Sequence, residues 1–129
     1  MIVADTSVWV SALRRRSSRE ARHLETLLDG DQVALAAPIR IELLSGASRR
    51  DRSRLRRTLS ALPVLFPGAR TWNLIEEWVE RAGDANQRFG LADLLIGALA
   101  AEHGASIWSL DADFDRMERL KLLSCHRPA

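Results

Sequence analysis

At 129 residues, with 47% hydrophobic and 28% charged side chains, the chain can bury one ordinary core and is too apolar to read as disordered. Its one cysteine, Cys125, excludes an intramolecular disulfide, and its longest uncharged apolar run, Leu94 to Ala101, is far too short to span a bilayer. The formal charge of +2 hides a segregation: residues 14–57 carry twelve Arg against six acids, net +6, and the remainder is net −4. That division fits a basic surface for phosphates beside an acidic cluster for metal, although solvated helices are the plainer explanation. The expectation is a single domain over 1–129. Met1 to Asp5 has no basic leader region, so the chain is expected to be cytoplasmic, with no membrane association.

Ile2-Val3-Ala4 reads as a buried strand that passes through Asp5-Thr6-Ser7 into a helix over Val8 to Leu13. In an open parallel sheet the ligand crevice lies beyond the carboxyl ends of the strands, which is where Asp5 falls; a plain helix cap is the competing explanation. After the polar break Arg14 to Ser18, Arg19 to Leu28 has helical spacing and stops at Asp29-Gly30. Val33 to Ala36 is a second buried strand, and Pro38 opens a helix that carries Glu42 and ends near Ser45-Gly46. Arg49 to Arg57 begins a strongly basic helix running to Pro63. Val64 to Phe66 is a short third strand. Trp72, Ile75, Val79 and Ala82 mark the apolar face of a longer helix, as core or subunit contact, and Gly83 to Asn86 reads as a break.

Gly90 to Gly104 is the most informative stretch, a helix apolar on nearly every side and therefore expected to be buried. Asp93 lies in its first turn. Its neighbours at three and four residues are Phe89, Gly90, Ile96 and Gly97, so no cation on the same helix neutralises it. Burying such a carboxylate requires a cation from elsewhere, protonation, a helix dipole or a metal. Ala105 to Ser109 is a further strand, followed by Asp111, Asp113 and Asp115; Leu120 to Leu123 is expected to be an edge strand. Alternating strands and helices imply an α/β domain around a mostly parallel sheet.

Asp5, Glu42, Asp93 and Asp111 each follow a strand or open a helix, positions that share one edge of a parallel sheet. Two carboxylates about 4 Å apart repel by roughly 4 kcal/mol at an effective dielectric near 20, so a gathering of four needs cations. All-oxygen ligation suits Mg²⁺ or Mn²⁺. Zinc fits less well, because His23, His103 and His126 show no ligand spacing with Cys125 or one another and are expected at the surface or terminus.

Four motifs in order, Ile2 to Ser7, Ile41 to Gly46, Leu91 to Ile96 and Ser109 to Phe114, resemble those of the PIN-domain ribonucleases, and among them the VapC toxins of bacterial type II toxin–antitoxin pairs. The family usually has Thr where Ser109 stands, and the hydroxyl is retained. The resemblance implies a three-layer α/β/α fold around a sheet of four or five strands, with Asp5, Glu42, Asp93 and Asp111 as the acidic pocket for Mg²⁺ or Mn²⁺. Asp5 and Asp93 would hold a metal that activates water for in-line attack on an RNA phosphodiester, with Glu42 orienting or deprotonating that water and a second ion, if bound, stabilising the leaving oxygen. Asp113 or Asp115 could assist, Asp113 being favoured by spacing, and Thr6 or Ser7 could hydrogen-bond a ligand. The implied partners are a VapB-like antitoxin, structured RNA such as tRNA or ribosomal RNA, and a second copy of the chain. Arg49, Arg50, Arg52, Arg54, Arg56 and Arg57 could contact RNA or the antitoxin. With 5% aromatic residues and no Tyr, an extensive base-stacking platform is not expected.

A different class of function, a non-catalytic PIN-like module binding RNA or protein, is disfavoured by the complete set of acids. A phosphotransfer domain using Asp5 as nucleophile ranks lower still. It would want a second Asp where Ser7 stands and a late phosphate-binding Lys, and the only lysine is Lys121.

Overall fold

A computed structural model describes residues 1–128. The order is β1 (Ile2–Ala4), α1 (Thr6–Arg14), α2 (Arg19–Asp29), β2 (Val33–Ala36), α3 (Ala37–Gly46), α4 (Arg49–Ser60), β3 (Val64–Leu65), α5 (Ala69–Asp84), α6 (Leu91–Glu102), β4 (Ser106–Trp108) and α7 (Asp113–Arg119). The strands form one parallel sheet in the order β3-β2-β1-β4, enclosed by helices as an α/β fold. Val3, Val33, Leu35 and Ile107 are almost wholly buried, as expected when helices cover both faces of a parallel sheet. No helix among the described residues is long and apolar enough to cross a membrane.

The strand order places the site. From β1 the chain winds outward through β2 to β3, then returns to add β4 on the other side of β1. The direction of winding therefore reverses between β1 and β4, and the crevice beyond the carboxyl ends of such strands is where open α/β sheets bind ligands. Ala4 is in register with Trp108, and the Asp5 amide donates to the Trp108 carbonyl at 2.8 Å, so Asp5 and Ser109 leave the sheet side by side.

Helix α6 is the central helix, with Leu94, Ile96, Gly97, Ala98, Leu99 and Ala100 buried. Gly97 is there because a side chain would not fit: a Cβ would lie 2.9 Å from Leu123 Cδ2 and 3.2 Å from Trp78 Cζ3. The side chain of Ser18 caps α2, and that of Ser48 caps α4 while its hydroxyl also binds Asp51.

Three sequence expectations need correction. Leu120 to Leu123 is not an edge strand: α7 ends in a turn with Lys121 at φ 62°, and Leu122 and Leu123 plug the core. Pairing with β4 comes slightly later, where the Ile107 amide donates to the Ser124 carbonyl at 2.9 Å and the His126 amide to the Ile107 carbonyl at 2.7 Å. The buried face of α5 is Thr71, Ile75, Trp78 and Ala82, leaving Trp72 and Val79 about half exposed. Thr71 belongs inside because its hydroxyl donates to Glu102 Oε1 at 2.6 Å and accepts from the Gly68 amide. Third, His23 and His126 are neither isolated nor purely superficial. Their Nε2 atoms lie 2.8 Å apart and His23 packs edge-on to Trp108. Burial, then the neighbouring His23, lowers the pKa of His126.

Candidate active site

Asp5 is the residue on which the site is built. It occupies the N-cap position of α1, yet its side chain makes no capping hydrogen bond. It is 8% exposed, and its Oδ2 accepts from the Ser7 hydroxyl at 3.0 Å and the Ser109 hydroxyl at 2.9 Å. Its other oxygen has no hydrogen-bond donor among the described residues. Ser7 and Ser109 lie 3.3 Å apart, and each also accepts a backbone amide, from Leu110 and Asp111 respectively. The hydroxyls thus tie the end of β1 to the loop after β4.

Across this crevice, Asp93 from the first turn of α6 meets Asp111 and Asp113, with one carboxylate oxygen of each within 4.8 Å of the others. Asp111 is held by its own Oδ1, which accepts from the Asp113 amide at 3.1 Å. Asp93 is half-buried, and its pKa is raised from 3.8 to about 6. Burial is the largest cause, followed by the hydrogen bond and charge of Asp113, then the charges of Asp111 and Asp5. Asp113 moves the opposite way, chiefly because Arg116 binds it at 2.7 Å.

Arg116 is the contributor that sequence reasoning missed. Its guanidinium joins Asp113 Oδ1, donates to Gln87 Oε1 at 2.6 Å, and lies 4.6 Å from the centre of the Phe89 ring. It therefore fastens the start of α7 to the segment that leads into α6. Its place three residues after Asp113 was the only available signal.

The remaining residues fall into place less directly. Glu42 is exposed and is linked to the site through Thr6, whose hydroxyl donates to Glu42 Oε1 at 3.2 Å. Asp115 points elsewhere, binding Arg127 at 2.8 Å together with Glu118. The cluster is thus Asp93, Asp111 and Asp113, with Asp5 near enough for its charge to act on Asp93, Glu42 joined to the end of β1 through Thr6, and Asp115 turned to Arg127. All-oxygen donors of this kind, with one carboxylate made more basic by burial and then by its neighbours and no His or Cys among them, fit a hard divalent cation.

The PIN domain family matches residues 2–120. Ribonuclease VapC11 from Mycobacterium tuberculosis is 36% identical over 130 residues, covering 93% of each chain. Ribonuclease VapC18 from the same organism is 31% identical over 118 residues, covering 88% of this chain and 84% of the relative. Among solved structures, VapBC2 from Rickettsia felis bound to a promoter DNA fragment superimposes with a TM-score of 0.80 at 21% identity over the full length of both chains. The chain belongs to the VapC ribonuclease branch of the PIN-domain family.

Proposed function

We propose that the chain, read as one PIN domain over 1–129, is a metal-dependent endoribonuclease and the toxin of a type II toxin–antitoxin pair. The observation that carries this reading is the cluster of Asp93, Asp111 and Asp113 facing buried Asp5. Relatives named as VapC ribonucleases support the reaction class, and the VapBC complexes among the structural neighbours support a VapB-like antitoxin as partner.

In this reading Asp5, Asp93 and Asp111 hold Mg²⁺ or Mn²⁺, with Asp113 beside them. The ion, when bound, supplies a more acidic water and a counter-charge for the phosphate. Ser7 and Ser109 hold one Asp5 oxygen by hydrogen bonds, and the other oxygen would be free to help hold the cation. Glu42, steadied by Thr6, orients the attacking water and takes its proton. The water oxygen then bonds to phosphorus as the opposite P–O bond breaks, and solvent protonates the departing oxygen. The substrate is a structured RNA such as tRNA or ribosomal RNA, and the working form is a cytoplasmic homodimer.

The test is cleavage of a broad RNA panel by antitoxin-free protein with Mg²⁺, with Mn²⁺ and with chelator. Metal-dependent cleavage that disappears in Asp93→Asn supports the reading. RNA binding without cleavage under either metal would replace it with the non-catalytic alternative.

A further inference from the structure

Helix α4 carries a long stretch of positive charge that no acid among the described residues pairs with. Its inner face is Leu59, fully buried, and Leu55, half-buried, while Arg49, Arg50, Arg52, Arg54, Arg56 and Arg57 are all exposed. At 100° per residue Arg50, Arg54 and Arg57 lie on the arc opposite the leucines with Arg49 at its edge, while Arg52 and Arg56 flank the leucine side. None forms a salt bridge among the described residues. The helix's one acid, Asp51, is engaged at its N-terminus by Ser48, and the Thr58 and Ser60 hydroxyls are turned back onto the carbonyls of Arg54 and Arg56. Like charges at three- and four-residue spacing destabilise a helix, so this surface opposes folding unless something outside the chain neutralises it.

The partner must therefore supply many negative charges and need no apolar anchor. A protein interface core is built on aromatic and aliphatic side chains, and the exposed arc of α4 has none. A sugar–phosphate backbone meets both conditions. The twelve residues of α4 extend about 18 Å, roughly the length of five stacked nucleotides. The helix packs against α3, which carries Glu42, the residue hydrogen-bonded to Thr6 next to Asp5, and begins seven residues beyond it.

We infer that α4 is a phosphate-binding track that holds the RNA backbone outside the cleavage point, adding affinity without reading bases. This rests on the ribonuclease reading above and assigns the task of substrate capture to a separate surface. Substitution of the track should raise KM and leave kcat unchanged, because no arginine of α4 belongs to the acidic cluster.

The experiment uses the triple variants R49Q/R50Q/R52Q and R54Q/R56Q/R57Q, each with its lysine counterpart. Binding of bulk tRNA is measured against salt in an Asp93→Asn background, and kinetics are measured on whichever RNA the wild type cleaves. Each glutamine triple should flatten the plot of log K against log salt by about 2, from roughly 0.7 for each phosphate no longer neutralised. It should also raise KM at least tenfold with kcat within twofold, and the lysine triples should restore both. Thermal denaturation of each variant confirms folding. Unchanged salt slopes in folded glutamine triples overturn the inference, as does retained RNA affinity with lost binding to the VapB-like protein. Either result leaves wild-type cleavage, and hence the ribonuclease reading, standing.

Discussion

Replacing Asp93 by Asn should make the metal-free protein more stable while removing its activity. Asp93 is charged above about pH 6 in the folded chain, although its carboxyl would ionise near 3.8 when neither buried nor beside other acids. A displacement of that size corresponds to about 3 kcal/mol in a dry site, and solvent reaching the half-exposed group reduces the effect to about 1 to 1.5 kcal/mol. Asparagine keeps the shape and removes the charge. In chelator at about pH 8 the variant should therefore melt roughly 3–5 °C above the wild type. Because a raised carboxyl penalises the fold only while ionised, the advantage should be complete above about pH 6. It should shrink as the pH falls from there towards 3.8, where the wild-type group is protonated both folded and unfolded. Added Mn²⁺ should reverse the order by stabilising the wild type alone, by about 2.7 kcal/mol at about a hundred times its Kd. Thermal melts across pH, with and without metal, read all of this. A variant that melts below the wild type in chelator at about pH 8, or whose advantage is the same at low and high pH, would refute the electrostatic reasoning.

Ser109→Ala removes one hydroxyl from Asp5 Oδ2 and the acceptor for the Asp111 amide; calorimetry should show Mn²⁺ affinity falling about tenfold, with Ser109→Thr retaining it. Arg116→Met takes the guanidinium from Asp113 and Gln87, and denaturant titration should show a loss of about 1 kcal/mol at neutral pH. Because Arg116 lowers the pKa of Asp113, this loss should fade as the pH falls below the ordinary 3.8 towards the folded value. Gly97→Ala forces Leu123 and the Trp78 ring to move by tenths of an ångström, and the strain should outweigh a gain in helix propensity of about 1 kcal/mol. A melting temperature equal to or above that of wild type would contradict that packing argument.

Asp5, Asp93 and Asp111 were legible because each sits where a strand ends or a buried helix begins, and such positions converge on one edge of a parallel sheet. Asp113 was separable from Asp115 only weakly, since both lie in the first turn of α7; the partners Arg116 and Arg127, contributed from different directions, decide between them. The misreading of Leu120 to Leu123 has a simple cause. A short apolar run signals burial without distinguishing a strand from a turn whose leucines fill the core, and nothing in a lysine announces the positive φ at Lys121. On α5, Trp72 and Trp78 compete for the inner face, and the choice falls to Trp78 because buried Thr71 reaches Glu102, 31 residues away. The meeting of His23 with His126 spans 103 positions and left no periodic trace.

The most direct test of the acidic centre is Mn²⁺ binding followed by electron paramagnetic resonance in the wild type and in Asp5→Asn. The wild type should bind at least one Mn²⁺ that the variant binds at least tenfold more weakly. Equal affinity and stoichiometry in the two proteins would contradict the claim that Asp5 completes a cation site with Asp93 and Asp111.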